Sequence, residues 1–233
     1  TAVGFWCSAA LVLSVPLPSP QTPPRHGVLA RTTRGIRLYL ATPRLRGLLA
    51  IDMAVAAAAS IVLVNTVVYV QGLFGLEQSA TALALACFGA GSVLAALGLP
   101  RVLERMPDRT VMLGGACLLC VGACLAIWVP NYGWLLPLWG VLGVGYSVAL
   151  TPSGRLLRRS GTPEDRPALF AAQFSLSHLC WLLAYPVAGR MGAAFGLPAT
   201  ALGLGLLAAI ATGVACLIWP SHDEATTTLP ARQ

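Results

Sequence analysis

The chain has 233 residues, 57% of them hydrophobic and only 10% charged, with a mean hydropathy of +0.76; soluble domains carry about 25% charged residues. That composition excludes a soluble globular fold and points to an all-α, polytopic membrane bundle. The net charge of +7 and pI near 9.4 would suit nucleic acid, but every basic residue is an arginine in a short segment beside an apolar run. Membrane topology and anionic headgroups account for such residues, so membrane lipid, and no nucleic acid, is the expected partner.

Residues 1–15 form an apolar stretch without the charged leading segment of a signal peptide, and 1–16 read as the end of a transmembrane helix. Prolines 16, 18, 20, 23 and 24 then stop that helix and keep the chain extended. They open a cytoplasmic loop over 17–46, in which Ile36, Leu38, Tyr39 and Leu40 interleave with arginines. Residues 34–45 suit either a short amphipathic helix on the inner membrane surface or a linker whose charges set topology.

Six spans follow, at about 47–72, 79–99, 110–129, 134–151, 167–189 and 198–219, then a cytoplasmic tail over 220–233. The connections at 75–78, 130–133 and 191–197 are short, so consecutive spans should pack as antiparallel hairpins. Crossing by crossing, this places Arg25, Arg31, Arg34, Arg37, Arg44 and Arg46 in one loop and Arg101, Arg105 and Arg109 in a second. Arg155, Arg158, Arg159 and Arg166 fall in a third, Arg232 lies in the tail, and Arg190 alone lies opposite. Basic loops stay cytoplasmic, which orients the protein in a cell's inner membrane. Trp134 and Trp219 fall at interface depth.

Small residues thin the helices for close packing: Gly140, Gly143 and Gly145 on the fourth span, and an every-fourth-residue stripe of Ala201, Gly205, Ala209 and Gly213 on the last. All seven cysteines fall within predicted spans, where thiols pack as small polarizable groups. Cys117, Cys120 and Cys124 share a helical face, but no His or carboxylate accompanies them, so no metal site and no cofactor is expected. No phosphate-binding loop is present either.

Ionisable groups at membrane depth are costly, by about 2.5–3.5 kcal/mol on insertion scales, and so mark candidate sites. Asp52 lies about 7–8 Å into the first span, close enough to the interface to be hydrated or to pair with Arg44 or Arg46. Thr66 falls on the same face, with Asn65, Tyr69 and Gln71 near the far end. His178 lies near the middle of the fifth span, with Gln173, Ser177, Trp181 and Tyr185 at four-residue steps beside it. This polar and aromatic stripe should face a protein interior or a water-filled cavity. His178 itself suits a hydrogen bond across a helix interface or a proton-responsive role. An intramembrane hydrolase would need Ser147 or Ser60 opposed to His178, and no Gly-x-Ser-x-Gly elbow supports one.

The second basic loop runs Gly98-Leu-Pro100-Arg101-Val-Leu-Glu104-Arg105-Met-Pro107-Asp108-Arg109. It resembles the signature loop of the major facilitator superfamily, Gly-x-x-x-Asp-Arg-x-Gly-Arg-Arg, with Glu104 and Arg105 in the acidic-basic pair and Arg109 as the last arginine. Pro100 and Pro107 replace the glycines, and Asp108 stands where an arginine is expected. The charge set that would clamp neighbouring helices is therefore expected to be incomplete. The segments 151–168 and 170–189 are similar to bacterial efflux members.

The resemblance implies the C-terminal half of a secondary transporter: the end of helix six, the central loop and helices seven to twelve. The missing N-terminal six-helix half would be its partner, and a small molecule or ion its substrate, exported by proton-coupled alternating access. Asp52, Thr66, Tyr146 and Ser147 would face substrate, with Gln173 and His178 near the seam between halves. The alternative is a non-transporting or truncated module that self-associates.

Overall fold

The computed structural model describes residues 2–15 and 28–220, and among these all regular structure is helical. The helices are α1 (Ala2–Ser14), α2 (Val28–Ala41), α3 (Pro43–Val67), α4 (Gln78–Arg105), α5 (Asp108–Leu125), α6 (Tyr132–Leu150), α7 (Ser153–Arg159) and α8 (Arg166–Ile218). A π-helical turn, Val68–Leu73, prolongs α3. The prolines at 18, 20, 23 and 24, with Arg25 and the tail from 221 on, lie outside the described residues.

Local chemistry sets the boundaries. Pro43 opens α3, where its missing N–H costs nothing. Met106 turns extended ahead of Pro107 and ends α4, and Asp108 then starts α5, an acid at the positive end of a helix dipole. Asn131 caps α6, its Oδ1 accepting from the Trp134 N–H at 2.9 Å.

At 53 residues, a straight α8 would measure about 80 Å, far beyond the ~30 Å of hydrocarbon in a bilayer. It is broken at Gly196, whose φ of 80° and ψ of 175° suit only glycine. A Cβ on Gly203 would come within 2.6 Å of the Met191 methyl, although residues that far apart stand about 18 Å apart in a straight helix. The chain therefore doubles back into two arms, 166–195 and 197–218. The expected connection at 191–197 contracts to a single residue, because 191–195 stay helical and Pro198 fits the first turn of the second arm. Five helical stretches are long and apolar enough to cross a membrane, and the doubled α8 makes six passes.

α3 is the axis of the bundle. From Ala54 to Ser60 every side chain is buried, because α8, α5, α4 and α6 all pack on it. α4 and α6 meet backbone to backbone: a Cβ on Gly143 would lie 1.9 Å from the Phe88 carbonyl oxygen, and one on Gly91 2.0 Å from that of Gly140. A Cβ on Gly115 of α5 would lie 2.5 Å from the Ala149 nitrogen and 2.9 Å from the Gly145 carbonyl oxygen. On the last arm the buried line is Ala201, Leu204, Gly205, Ala208, Ala211, Thr212 and Ala215, while Ala209 and Gly213 are exposed. Steps of four residues drift about 40° each at 100° per residue, so a strict every-fourth stripe leaves the interface. Leu94, Leu97, Trp128, Leu206, Ile210 and Leu217 form part of an apolar outer belt.

α2 is a helix docked on the bundle rather than a free linker. It ends at Ala41, and residues 43–46 already belong to α3. Its apolar side lies on the first arm of α8, where a Cβ on Gly35 would lie 2.5 Å from the Ala168 carbonyl oxygen. Trp219, expected at the interface, is buried and packs on Gly47.

Candidate functional site

Asp52 faces inward from α3 and is buried. Gln173, on the first arm of α8, donates from Nε2 to Asp52 Oδ2 at 2.8 Å. The Tyr39 hydroxyl of α2 donates to the Oε1 of the same amide, and the Tyr39 side chain has no exposed surface. Three helices thus converge through one hydrogen-bonded chain on a carboxylate. The expected arginine partner is absent: Arg44 donates instead to the Arg159 carbonyl oxygen at 3.1 Å, and Arg46 is exposed. The burial of α3 carries Asp52 away from the hydrated edge.

An aromatic file continues from this point. Tyr146 of α6 stands edge-on to Phe88, ring centres 5.6 Å apart. Trp181 lies 6.5 Å from Tyr146 and 5.1 Å from Tyr185, and packs over Ala56, Cys180 and Ala184. Gln173 is therefore brought onto Asp52, and Tyr146, Trp181 and Tyr185 form one file with Phe88 that leads away from it, Tyr185 lying about 18 Å beyond Gln173 along α8 and partly exposed at the bundle surface.

His178 is not among them. It is exposed, its ring lies 4.0 Å from that of Phe174, and its Nδ1 is 2.7 Å from the Phe174 carbonyl oxygen on its own helix. Five residues beyond Gln173, it stands about 140° around the helix, turned away from Asp52, and within this chain it bonds to no other helix among the described residues. Ser177 shares that carbonyl at 3.1 Å. The stripe expected to face inward as a unit is therefore split. Ser60 and Ser147 bond to Ala56 and Thr151 on their own helices, so no serine is opposed to His178 among the described residues.

Thr66 is buried in a separate knot at the other end of α3, about 21 Å along the axis from Asp52. It accepts from Trp139 Nε1 at 2.7 Å and donates to the Val62 carbonyl oxygen. Tyr69 stacks edge-on against Trp139, ring centres 5.5 Å apart, and donates to the Ala126 carbonyl oxygen at 2.7 Å. Neighbouring Asn65 is buried with its Nδ2 unpartnered.

The basic end holds a closed charge cluster where an incomplete one was expected. Asp108, 2% exposed, accepts from Arg155 Nε at 2.8 Å and from its Nη2, with Arg159 Nη1 at 3.5 Å. Arg155 also reaches the Leu103 carbonyl oxygen at 3.3 Å. The acid that joins the loop to α7 is thus Asp108, not Glu104, because the break at Pro107 buries residue 108 at the start of α5. Glu104, Arg105 and Gly98 are exposed. Arg109 donates to the carbonyl oxygens of Cys216 and Trp219, each at 3.1 Å, closing the end of α8 with a cation.

Sequence reasoning found Asp52, Gln173, Trp181, Tyr185 and Tyr146 but missed the roles of Tyr39, Arg155 and Trp139. A lone tyrosine among the arginines of 31–46 was the one available signal for Tyr39.

The family model of the Major Facilitator Superfamily matches residues 3–233. No curated protein matches the chain. A bundle of long apolar helices and a family match across nearly its whole length lead to one conclusion: this chain is a member of the Major Facilitator Superfamily, whose proteins carry solutes across membranes.

Proposed function

We propose that the chain is the C-terminal six-helix half of a proton-coupled secondary exporter, working by alternating access with an N-terminal six-helix half as its partner. The basic ends of the helices, with the tail, face the cytoplasm of a cell whose inner membrane holds the protein. The observation that carries this reading is Asp52: a buried carboxylate at membrane depth, hydrogen-bonded to a neutral amide rather than paired with an arginine. A carboxylate without a fixed counter-charge can take up and lose a proton at modest electrostatic cost, as a proton carrier must.

The aromatic file of Phe88, Tyr146, Trp181 and Tyr185 beside it favours a small organic molecule, cationic ones included, over a metal ion, because ring faces attract cations and bury apolar groups. The test is the full protein in liposomes under an imposed pH gradient, screened against a panel of lipophilic organic cations, with a divalent metal as comparison. Asp52→Asn should lower gradient-driven flux at least about 100-fold, an effect near 2.7 kcal/mol, while Asp52→Glu retains part of it. Undiminished flux in Asp52→Asn would remove the carboxylate from the proposal.

A further inference from the structure

Among the described residues, the polar links between α2 and the start of α8 include two that differ in kind. Arg34 Nη2 donates to Asp165 Oδ1 at 2.9 Å, but the Arg34 side chain is 69% exposed, and such surface pairs contribute little. Tyr39 is fully buried and ends in the chain to Gln173 and Asp52. Burial first, and the Asp52 carboxylate second, push the Tyr39 phenol above its ordinary range, so it stays a hydrogen-bond donor.

The Gln173 amide is directional, with an acceptor at one end and a donor at the other. Ionised Asp52 can only accept, so it takes a hydrogen from Nε2 and leaves Oε1 for the Tyr39 hydroxyl. Neutral Asp52 brings a hydrogen of its own and competes for Oε1. If the amide turns to meet it, the NH2 group faces Tyr39, whose hydroxyl hydrogen then has no acceptor in a buried site. An unmet buried donor costs about 1–3 kcal/mol.

We propose that α2 is a protonation-responsive strap, held on α8 by ionised Asp52 through Gln173 and Tyr39 and released when Asp52 becomes neutral. Tyr39 is then a positioning residue that couples α2 to the charge at membrane depth. The inference rests on Asp52 gaining and losing a proton, as the proposed function requires. The sign follows: docking favours the ionised carboxylate, so α2 is held at higher pH and loosens as pH falls.

Other titratable groups surround the chain. Tyr146 of α6 and Cys180 of α8 feel the Asp52 charge. Asp108 of α5 is paired with Arg155 and Arg159 of α7, and Glu104 and Arg105 of α4 are exposed. Along α8, Glu164, Asp165 and Arg166 lie at the α2 end, and His178 is turned away.

The experiment is hydrogen exchange of the full protein in lipid nanodiscs, read on the amides of α2 and corrected for the intrinsic pH dependence of exchange. Between about pH 8 and pH 5, wild-type protection of α2 should fall about tenfold, the scale of one hydrogen bond. Asp52→Asn and Tyr39→Phe should each give low protection at every pH, and the double variant no lower than either, because both act through one chain. Asp52→Glu should restore the response and His178→Gln should leave it intact, with α5 and α6 protection reporting that each variant is folded.

Additive losses in the double variant, or full α2 protection in Asp52→Asn, would overturn the strap and leave the proton-carrier reading standing. Protection that is flat with pH in the wild type yet low in Asp52→Asn would show that Asp52 never titrates, overturning both.

Discussion

Asp108 occupies the place where a signature loop would put an arginine, yet it is the residue that closes the basic end. Removing its charge strands Arg155, which is about one-third exposed and so partly compensated by water. Asp108→Asn should lower stability by about 2 kcal/mol, whereas Glu104→Gln, on an exposed side chain, should stay within about 0.5 kcal/mol. Thermal unfolding in detergent followed by tryptophan fluorescence separates the two. The sequence reading named both acids of the loop but not which one packs, because a motif register counts positions and cannot see which of two carboxylates a proline break buries. Asp52 was legible because a charge at membrane depth stands out against its apolar neighbours. Its partners were not: Gln173 is recognised as polar from spacing alone, but Tyr39 joins it only once α2 has docked.

Packing between elements is decided by glycines that look alike in sequence. Gly143 meets the Phe88 carbonyl, and Gly213 has nothing within 4 Å of where a Cβ would stand. Gly143→Val should therefore force α4 and α6 apart and cost about 3 kcal/mol or more, while Gly213→Ala should be neutral or stabilising by about 0.5 kcal/mol. Gly196→Ala, at a φ and ψ that only glycine adopts freely, should cost about 1–3 kcal/mol. Unfolding midpoints of the three variants in one detergent rank these effects. Helix existence and approximate length were legible throughout, since apolar runs near bilayer length leave little choice. The turn within α8 was legible as a connection somewhere in 191–197, but not its contraction to one residue, because only the backbone angles of Gly196 reveal where the chain turns.

At the scale of the whole molecule the arginines divide the bundle into two ends. In a background freed of the seven native cysteines, a cysteine at position 158 should react with a membrane-impermeant maleimide only after the membrane is opened, and one at position 131 should react in intact cells. The opposite pattern would invert the proposed orientation. The tight turn at Gly196 has a consequence for how the protein is made. With both ends of α8 on the arginine side, beside Asp165 and Trp219, its two arms must enter the bilayer together as one hairpin, led by a tip that is a single glycine wide. A leading edge that small leaves a protease or an antibody on the far side little to grip, and Arg190 is the one guanidinium that the hairpin must carry across with it.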